Sequence, residues 1–439
     1  MAKLPGILGV YLLDRDRGPI RVGALNRDVD GAVRFNVAES YLDDPGRPIL
    51  SLAWYNPASD QDTRDRLRAP SNKLGAHGTA PPWFGGLLPE GALRELVLRE
   101  MGPGDHDEFD VLTRLGGDLP GAVIITPETV TTLAAGPLEM KNLKGLRVPE
   151  PQGVVKFSLA GIQLKFTAKL EGHHLSVPGS AEAGRCIIKV PSERFRDLPE
   201  AEYGAMQLAK MIGVNIVECR LMPRNAVRGI PEEILSHGPN VLVVDRFDRV
   251  NDGGRIHIED AGQILGAVGD RKYTMATTET IMNMIRRFST DNRMDLREAI
   301  RRVVADVLLG NGDNHLKNWS FIFPNPGEIR LSPAYDIVPT IMFIPGDRMA
   351  LKFAGTQEFE NVSLHRFERV AKYLSLDPRW VVREVKVIVE QAMDLWPAAA
   401  RELFDDKRAA MLIDRLPTLQ LVRETTQVAA IGAAAGRTA

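Results

Sequence analysis

Gly310-Asn311-Gly312-Asp313-Asn314-His315-Leu316-Lys317-Asn318 is the stretch on which the reading of the fold turns, with Asp336 following eighteen residues after Asn318 in Tyr335-Asp336-Ile337. An Asp, an Asn five positions later and a second Asp beyond a strand-like segment are the parts needed to hold a nucleotide's magnesium and orient a hydroxyl for phosphoryl transfer. Upstream, Leu296, Ala299, Ile300, Val303, Val304, Val307 and Leu308 recur at three- and four-residue intervals, so residues 296–309 read as an amphipathic helix that Gly310 stops. Downstream, Trp319-Ser320-Phe321-Ile322-Phe323 has strand character, Pro324-Asn325-Pro326-Gly327 is turn chemistry and Glu328-Ile329-Arg330-Leu331 is the return strand. Helix, polar loop, hairpin and Asp, in that order, form the plan of a catalytic loop followed by a metal loop.

The chemistry accounts for the residue types. Asp313 is placed to accept a hydrogen bond from an attacking hydroxyl, while the Asn318 side-chain oxygen and the Asp336 carboxylate suit Mg²⁺, a hard cation that takes oxygen ligands. Lys317 between them reaches toward a transferring phosphate. Alone, the Asp-x-x-x-x-Asn spacing is weak, and an ordinary polar turn explains it equally well. His315 reads as a residue that pins the loop, because no second His or Cys stands nearby at metal-ligand spacing.

A phosphate-binding element should precede such a loop. Val154-Val155-Lys156-Phe157-Ser158-Leu159 and Leu164-Lys165-Phe166-Thr167-Ala168-Lys169-Leu170 roughly alternate apolar and polar residues, and Ala160-Gly161-Ile162-Gln163 joins them into a hairpin with Gly161 at its tip. A glycine there lets backbone N–H groups approach phosphate oxygens, although a plain β-turn would look the same. Cys186-Ile187-Ile188-Lys189-Val190-Pro191 is a buried strand with one lysine, which needs an anionic partner or snorkels to water. A helix marked by Ala201, Ala205, Leu208, Ala209 and Ile212 follows and ends at Gly213; Glu202 in its first turn is the candidate ion-pair partner of Lys189, ahead of Glu200. Val241-Leu242-Val243-Val244-Asp245-Arg246-Phe247 then runs from a hydrophobic strand into a charged linker, where a kinase holds adenine between its lobes.

These residues carry a resemblance. Ser158-Leu159-Ala160-Gly161-Ile162-Gln163-Leu164-Lys165, Ile187-Ile188-Lys189-Val190-Pro191, Asp245-Arg246-Phe247-Asp248-Arg249, Glu259-Asp260, the 312–318 loop and Leu331-Ser332-Pro333-Ala334-Tyr335-Asp336-Ile337 together resemble, in order and spacing, the HipA family. That family comprises bacterial serine/threonine protein kinases acting as toxins of type II toxin–antitoxin systems, paired with a small HipB-like helix-turn-helix DNA-binding antitoxin. Arg21-Val22-Gly23-Ala24-Leu25, Phe84-Gly85-Gly86-Leu87-Leu88-Pro89-Glu90, Phe109-Asp110-Val111-Leu112 and Gly121-Ala122-Val123-Ile124 are similar to its N-terminal subdomain, so the likeness runs from about residue 6 to about residue 420.

The resemblance implies an α+β, two-lobed protein-kinase-like fold with an additional N-terminal α/β subdomain and a mainly helical C-lobe. It implies Asp313 as catalytic base with Lys317 beside it, Asn318 and Asp336 as ligands of Mg²⁺, and ATP as the nucleotide. The nucleotide-binding set is then Ser158, Ala160, Gly161, Gln163, Lys165, Lys189, Val244, Asp245, Phe247 and His315. Ser158 matches the serine that the family's toxins autophosphorylate, and a dianionic phosphate beside the ATP phosphates would be repelled; a hydroxyl capping a strand end is the plainer role. Two departures stand out: Leu164-Lys165 replaces a common Glu-Lys, which alters the gating loop, and Asp245 replaces a hinge Glu, a milder change because backbone groups usually bind adenine there. The implied partners are a HipB-like antitoxin, through which DNA is contacted, and a protein substrate, an aminoacyl-tRNA synthetase in some members; a dimer or a heterotetramer with the antitoxin is the implied assembly.

Composition sets bounds. A chain of 439 residues exceeds one ordinary domain, and 55 basic against 57 acidic residues, net charge -2, argue against a broad nucleic-acid surface. Cys186 and Cys219 read as reduced, buried thiols, and no apolar run approaches membrane-spanning length, so a cytoplasmic protein is expected. Residues 5–13 read as a first strand rather than a signal peptide. The expected division is 1–148 for the N-terminal subdomain, 149–250 for the nucleotide lobe, 251–425 for the C-lobe and 426–439 for a low-complexity, mobile tail. Two other readings stay open: a weakly active kinase-fold subunit that mainly binds a DNA-binding partner, and a small-molecule kinase.

Overall fold

Residues 6–128, 165–171, 174–176, 184–191, 193–230, 232–250 and 253–426 are described by the computed structural model of the chain. Its sequence opens on the expected first strand, β1 (Gly6–Asp14), which turns back at once into β2 (Gly18–Arg27). The turn is set locally: the Asp14 carboxylate accepts the N–H groups of Asp16 and Arg17 at 3.0 and 2.9 Å, and Gly18 takes a positive φ of 75°. With β3 (Val33–Val37), β4 (Leu74–Gly75) and β5 (Val123–Pro127) they make a sheet of order β4-β3-β2-β1-β5, antiparallel throughout. Helices α1 (Glu39–Asp43), α2 (Asp60–Arg68), α3 (Pro82–Gly85), α4 (Gly91–Glu100) and α5 (Glu108–Leu115) connect these strands. Phe35, Trp54, Trp83 and Phe84 form a continuous aromatic cluster in this core, with ring centroids 4.7 to 6.1 Å apart.

The second sheet contains the nucleotide-lobe strands. Its order is β10-β7-β6-β8-β11-β9, from β6 (Lys165–Glu171), β7 (His174–Ser176), β8 (Cys186–Lys189), β9 (Cys219–Pro223), β10 (Val227–Arg228) and β11 (Asn240–Asp245). Every residue of β8 is buried, which explains why it reads as an unbroken apolar run apart from Lys189. The second arm of the expected phosphate hairpin is β6; its first arm and tip, with Ser158, Ala160, Gly161 and Gln163, lie outside the described residues.

The chain divides into two compact units. One comprises Met1–Glu193, Met222–Arg271 and Ser320–Ser332, and the other Arg194–Leu221, Lys272–Trp319 and Pro333–Ala439. The hairpin after the catalytic loop, β13 (Ser320–Phe323) and β14 (Arg330–Leu331), therefore belongs with the first unit, where it completes a three-stranded sheet with β12 (His257–Asp260). That unit also contains the short helices α7 (Glu232–Leu235) and α8 (Ala261–Leu265), the latter capped by Asp260, whose carboxylate accepts the Gln263 N–H at 2.8 Å.

The second unit is helical. It holds α6 (Leu198–Met211), α10 (Thr278–Phe288), α11 (Asn292–Leu309), α12 (Leu364–Tyr373), α13 (Pro378–Leu403) and α14 (Asp406–Arg415); the single turn α9 (Arg271–Thr274) leads into it. All seven apolar positions that predict the helix before Gly310 are buried on α11, the six larger than alanine each contributing on the order of 1.5–3 kcal/mol. The helix starts four residues earlier than the periodicity indicates, because the Asp291 side chain caps it by accepting the Met294 N–H at 3.2 Å. Helix α13 is the axis of the unit, packing on α6, α11, α12 and α14. Its Trp396 is fully buried and donates its indole N–H to the Leu208 carbonyl of α6 at 2.9 Å. Cys186 is buried as expected, whereas Cys219 is only half-buried, since its strand mixes apolar and charged neighbours and is nowhere fully covered.

Candidate active site

The catalytic-loop residues lie in the helical unit. Helix α11 ends at Gly310, whose φ of +71° is the left-handed turn that glycine adopts at low cost, and a Cβ there would stand 2.5 Å from Ile341 Cδ1. Beyond it the chain folds on itself: the Asp313 N–H donates to Asn311 Oδ1 at 3.2 Å, the His315 N–H to the Asp313 carbonyl at 2.8 Å, and the Asn318 side-chain amide to the same carbonyl at 2.8 Å. The Asp-x-x-x-x-Asn spacing is thus a closed loop. Because Asn318 Nδ2 is committed to the Asp313 carbonyl, Oδ1 is the atom the amide turns the other way.

Asp336 is tied to this loop through its neighbour. The Tyr335 hydroxyl donates to the Lys317 carbonyl at 2.8 Å, and Ala334 pairs with residues 215–217, its N–H reaching the Asn215 carbonyl at 2.7 Å. Between buried Tyr335 and buried Ile337, Asp336 is held at a φ of +56°, a conformation that costs a non-glycine residue about 1 kcal/mol or more and that Asp tolerates better than most. His315 is buried and meets the Tyr273 ring edge-on, centroids 5.1 Å apart, in keeping with a residue that pins the loop. Lys317 is buried as well.

Three residues that the sequence does not advertise act on this loop. Tyr273, on α9, donates its hydroxyl to Asp313 Oδ1 at 2.9 Å. Thr340 accepts the Gly312 N–H on its hydroxyl at 2.7 Å and also bonds the Asp347 carboxylate. Asp306, in the last turn of α11, bonds both Asn311 and Asn314. Burial pushes the Asp306 carboxyl up to about 7 although the two amides and Arg302 pull it down. None of the three stands at a motif spacing, since their contacts span gaps of 5 to 40 residues.

The nucleotide-lobe residues lie in the other unit. Lys165 on β6 and Lys189 on β8 are direct cross-strand partners, and both are buried at 3% exposure. Residues paired in this way lie on the same side of the sheet, so the register brings two lysine side chains to one face. Lys189 also pairs with Leu242 of β11, and Asp245 at the end of that strand pairs with Cys186. Val244 is buried, whereas Asp245 and Phe247 are half-buried. Behind them Arg246 is anchored to Asp248 through two bonds of 3.0 and 2.8 Å and to Asp118 at 3.1 Å. Burial would raise the Asp248 carboxyl, but Arg246 and Arg249 outweigh it and hold the group far below the usual carboxylate range. Glu202, the expected partner of Lys189, belongs instead to the helical unit, where it is buried on α6.

The oxygen donors that the sequence nominates for a metal here are one amide oxygen, of Asn318, and one carboxylate, of Asp336. Among the described residues no group of three or more His, Cys, Asp or Glu is arranged to hold a metal ion. Two oxygen ligands suit Mg²⁺, which shares its octahedral shell with phosphates and water, and do not suit zinc.

Comparison with known proteins agrees with this architecture. The HipA-like C-terminal domain matches residues 157–396 and the HipA N-terminal domain residues 17–126. The chain is 35% identical over 408 residues to Y4dM of Sinorhizobium fredii, covering 92% of this chain and 96% of that protein. It is 25% identical over 313 residues to the serine/threonine-protein kinase toxin HipA of Shewanella oneidensis, covering 65% of this chain and 68% of that one. A solved structure of the Shewanella oneidensis toxin–antitoxin complex of HipA, HipB and operator DNA superposes with a TM-score of 0.68 over 95% of this chain and 99% of that chain, at 18% identity, which bears on the fold alone. The fold is the α+β, kinase-like one, and no described helix is long and apolar enough to cross a membrane. The chain belongs to the HipA family of kinases.

Proposed function

We propose that this kinase transfers the γ-phosphoryl group of ATP to a serine or threonine of a protein, with Asp313 as base. The observation that supports the reading is the bond from the Asn318 amide to the Asp313 carbonyl, 2.8 Å, which holds the Asp313 main chain and the Asn318 side chain in one closed loop. Asp313 orients the acceptor hydroxyl and takes its proton as the oxygen attacks phosphorus. Asn318 Oδ1 and the Asp336 carboxylate would hold Mg²⁺, which would neutralise charge on the phosphates. Lys317 steadies the transferring group, and the facing lysines Lys165 and Lys189 offer a positive locus for the phosphates. We assign Val244, Asp245 and Phe247 to adenine, and His315, Ser158, Ala160, Gly161 and Gln163 to the nucleotide on the family likeness alone.

On this reading Ser158 is the self-inactivating phosphorylation site. The partner is a HipB-like antitoxin, a proposal supported by the HipA, HipB and operator DNA complex formed by the Shewanella relative. The test is incubation of the purified chain with Mg²⁺ and labelled ATP, alone and with a cell lysate, followed by mass spectrometry. Transfer by the natural chain, phosphate on Ser158 and loss of transfer in Asp313→Asn with ATP binding retained are expected; undiminished transfer by Asp313→Asn would overturn the assignment.

A further inference from the structure

Asp306 is a buried carboxylate, 7% exposed, that the chemistry above leaves without a role. Its two oxygens are bonded to two different amides, Oδ1 by Asn311 Nδ2 at 2.8 Å and Oδ2 by Asn314 Nδ2. Its main-chain carbonyl accepts the N–H groups of Gly310 and Asn311 at 2.8 and 2.9 Å. One residue at the end of α11 thus holds the loop on both sides of Asp313. With each oxygen accepting from one amide nitrogen, it also dictates how each amide is turned. With Nδ2 of Asn311 drawn to Asp306, Oδ1 faces the Asp313 N–H, which it accepts at 3.2 Å. Asn311 is 1% exposed, shut off from bulk solvent.

We infer that Asp306 is the positioning residue of this kinase's catalytic loop, setting the place of Asp313 through the amides of Asn311 and Asn314. The inference rests on Asp313 being the base. It acts on geometry rather than on substrate, so it bears on turnover and not on nucleotide affinity. Displacing a reacting group by about 1 Å can lower a rate about 100-fold.

An exchange of partners provides the test. In Asp306→Asn one of the two amides meets an NH₂ instead of an oxygen, and in Asn314→Asp two carboxylates face each other. When both changes are combined, the amide introduced at position 306 accepts from Asn311 and donates to the carboxylate introduced at position 314. Every bond is then restored, the second in reverse, with the net charge unchanged. We expect each single change to lower kcat at least about tenfold at unaltered ATP affinity, and the double variant to regain most of it. Amide exchange across residues 310–318 should rise in Asp306→Asn and return in the double variant. Losses that simply multiply in the double variant, or loop exchange unchanged by Asp306→Asn, would overturn the inference. Asn314→Ala removes one arm from a half-buried position, and its loop exchange decides the matter if the Asp306 variant does not fold. Asp313→Asn in parallel separates the two ideas: full turnover there removes the base assignment, while loop exchange still judges Asp306.

Discussion

Glu259→Gln should destabilise the chain at acidic pH and cease to do so above neutrality. Glu259 on β12 is fully buried and accepts the Ser51 hydroxyl, the Leu52 N–H at 2.8 Å and the Trp83 indole N–H at 2.6 Å. Burial pushes its carboxyl from 4.5 up to about 7, against the pull of those three donors. The folded chain therefore keeps a proton that the unfolded chain releases, and the stabilisation is full below about 4.5 and lost as pH rises through about 7. That gap corresponds to about 3 kcal/mol. Glutamine carries none of this slope, but its NH₂ faces one of the three donors, a mismatch of about 1–3 kcal/mol at every pH. His257, two residues away, is pushed down to about 4 by burial and stays neutral across the range. Urea unfolding of both chains near pH 5 and near pH 8 should show Glu259→Gln weaker by about 1–3 kcal/mol at the lower pH and equal or stronger at the higher. A stability difference that does not move with pH would refute the reasoning.

Three other perturbations are as direct. Tyr273→Phe keeps the ring against His315 and deletes the donor 2.9 Å from Asp313, so kcat should fall about tenfold with the ATP dissociation constant unchanged; steady-state kinetics with undiminished kcat would make the phenol incidental. Gly310→Ala forces a left-handed alanine whose Cβ stands 2.5 Å from Ile341, and calorimetry should find about 2–4 kcal/mol of destabilisation; a loss below about 1 kcal/mol would contradict the packing. Lys189→Met, which removes the ammonium of one of two cross-strand lysines, should weaken ATP binding by roughly a few kcal/mol at most in titration calorimetry, and unchanged affinity would return Lys189 to a structural role.

Periodicity determined more than motif spacing did. The seven apolar residues of α11 lie three and four apart, and all seven are buried because a helix brings that spacing to one face. Strand β8 read as buried for a similar reason, since a central strand with both faces covered is apolar throughout. The residues Asp313, Lys317, Asn318 and Asp336 were legible because hydroxyl orientation and magnesium binding demand particular oxygen donors, and the family likeness added their order.

Tertiary structure decided what contacts across large gaps decide. Tyr273 is forty residues from Asp313, and Thr340 is twenty-eight from Gly312; neither carries a local signature, because a hydroxyl donor can come from any element that packs nearby. The pairing of Lys165 with Lys189 depends on strand register, which a one-residue slip would reverse. The hairpin 320–331 follows the catalytic loop in sequence, yet it joins β12 in the first unit, because an unpaired strand edge is satisfied wherever another strand is available. Composition and spacing determined which chemistry this chain can perform; packing decided which neighbours hold that chemistry in place, since hydrogen bonds and buried charges depend on distance in space rather than along the chain.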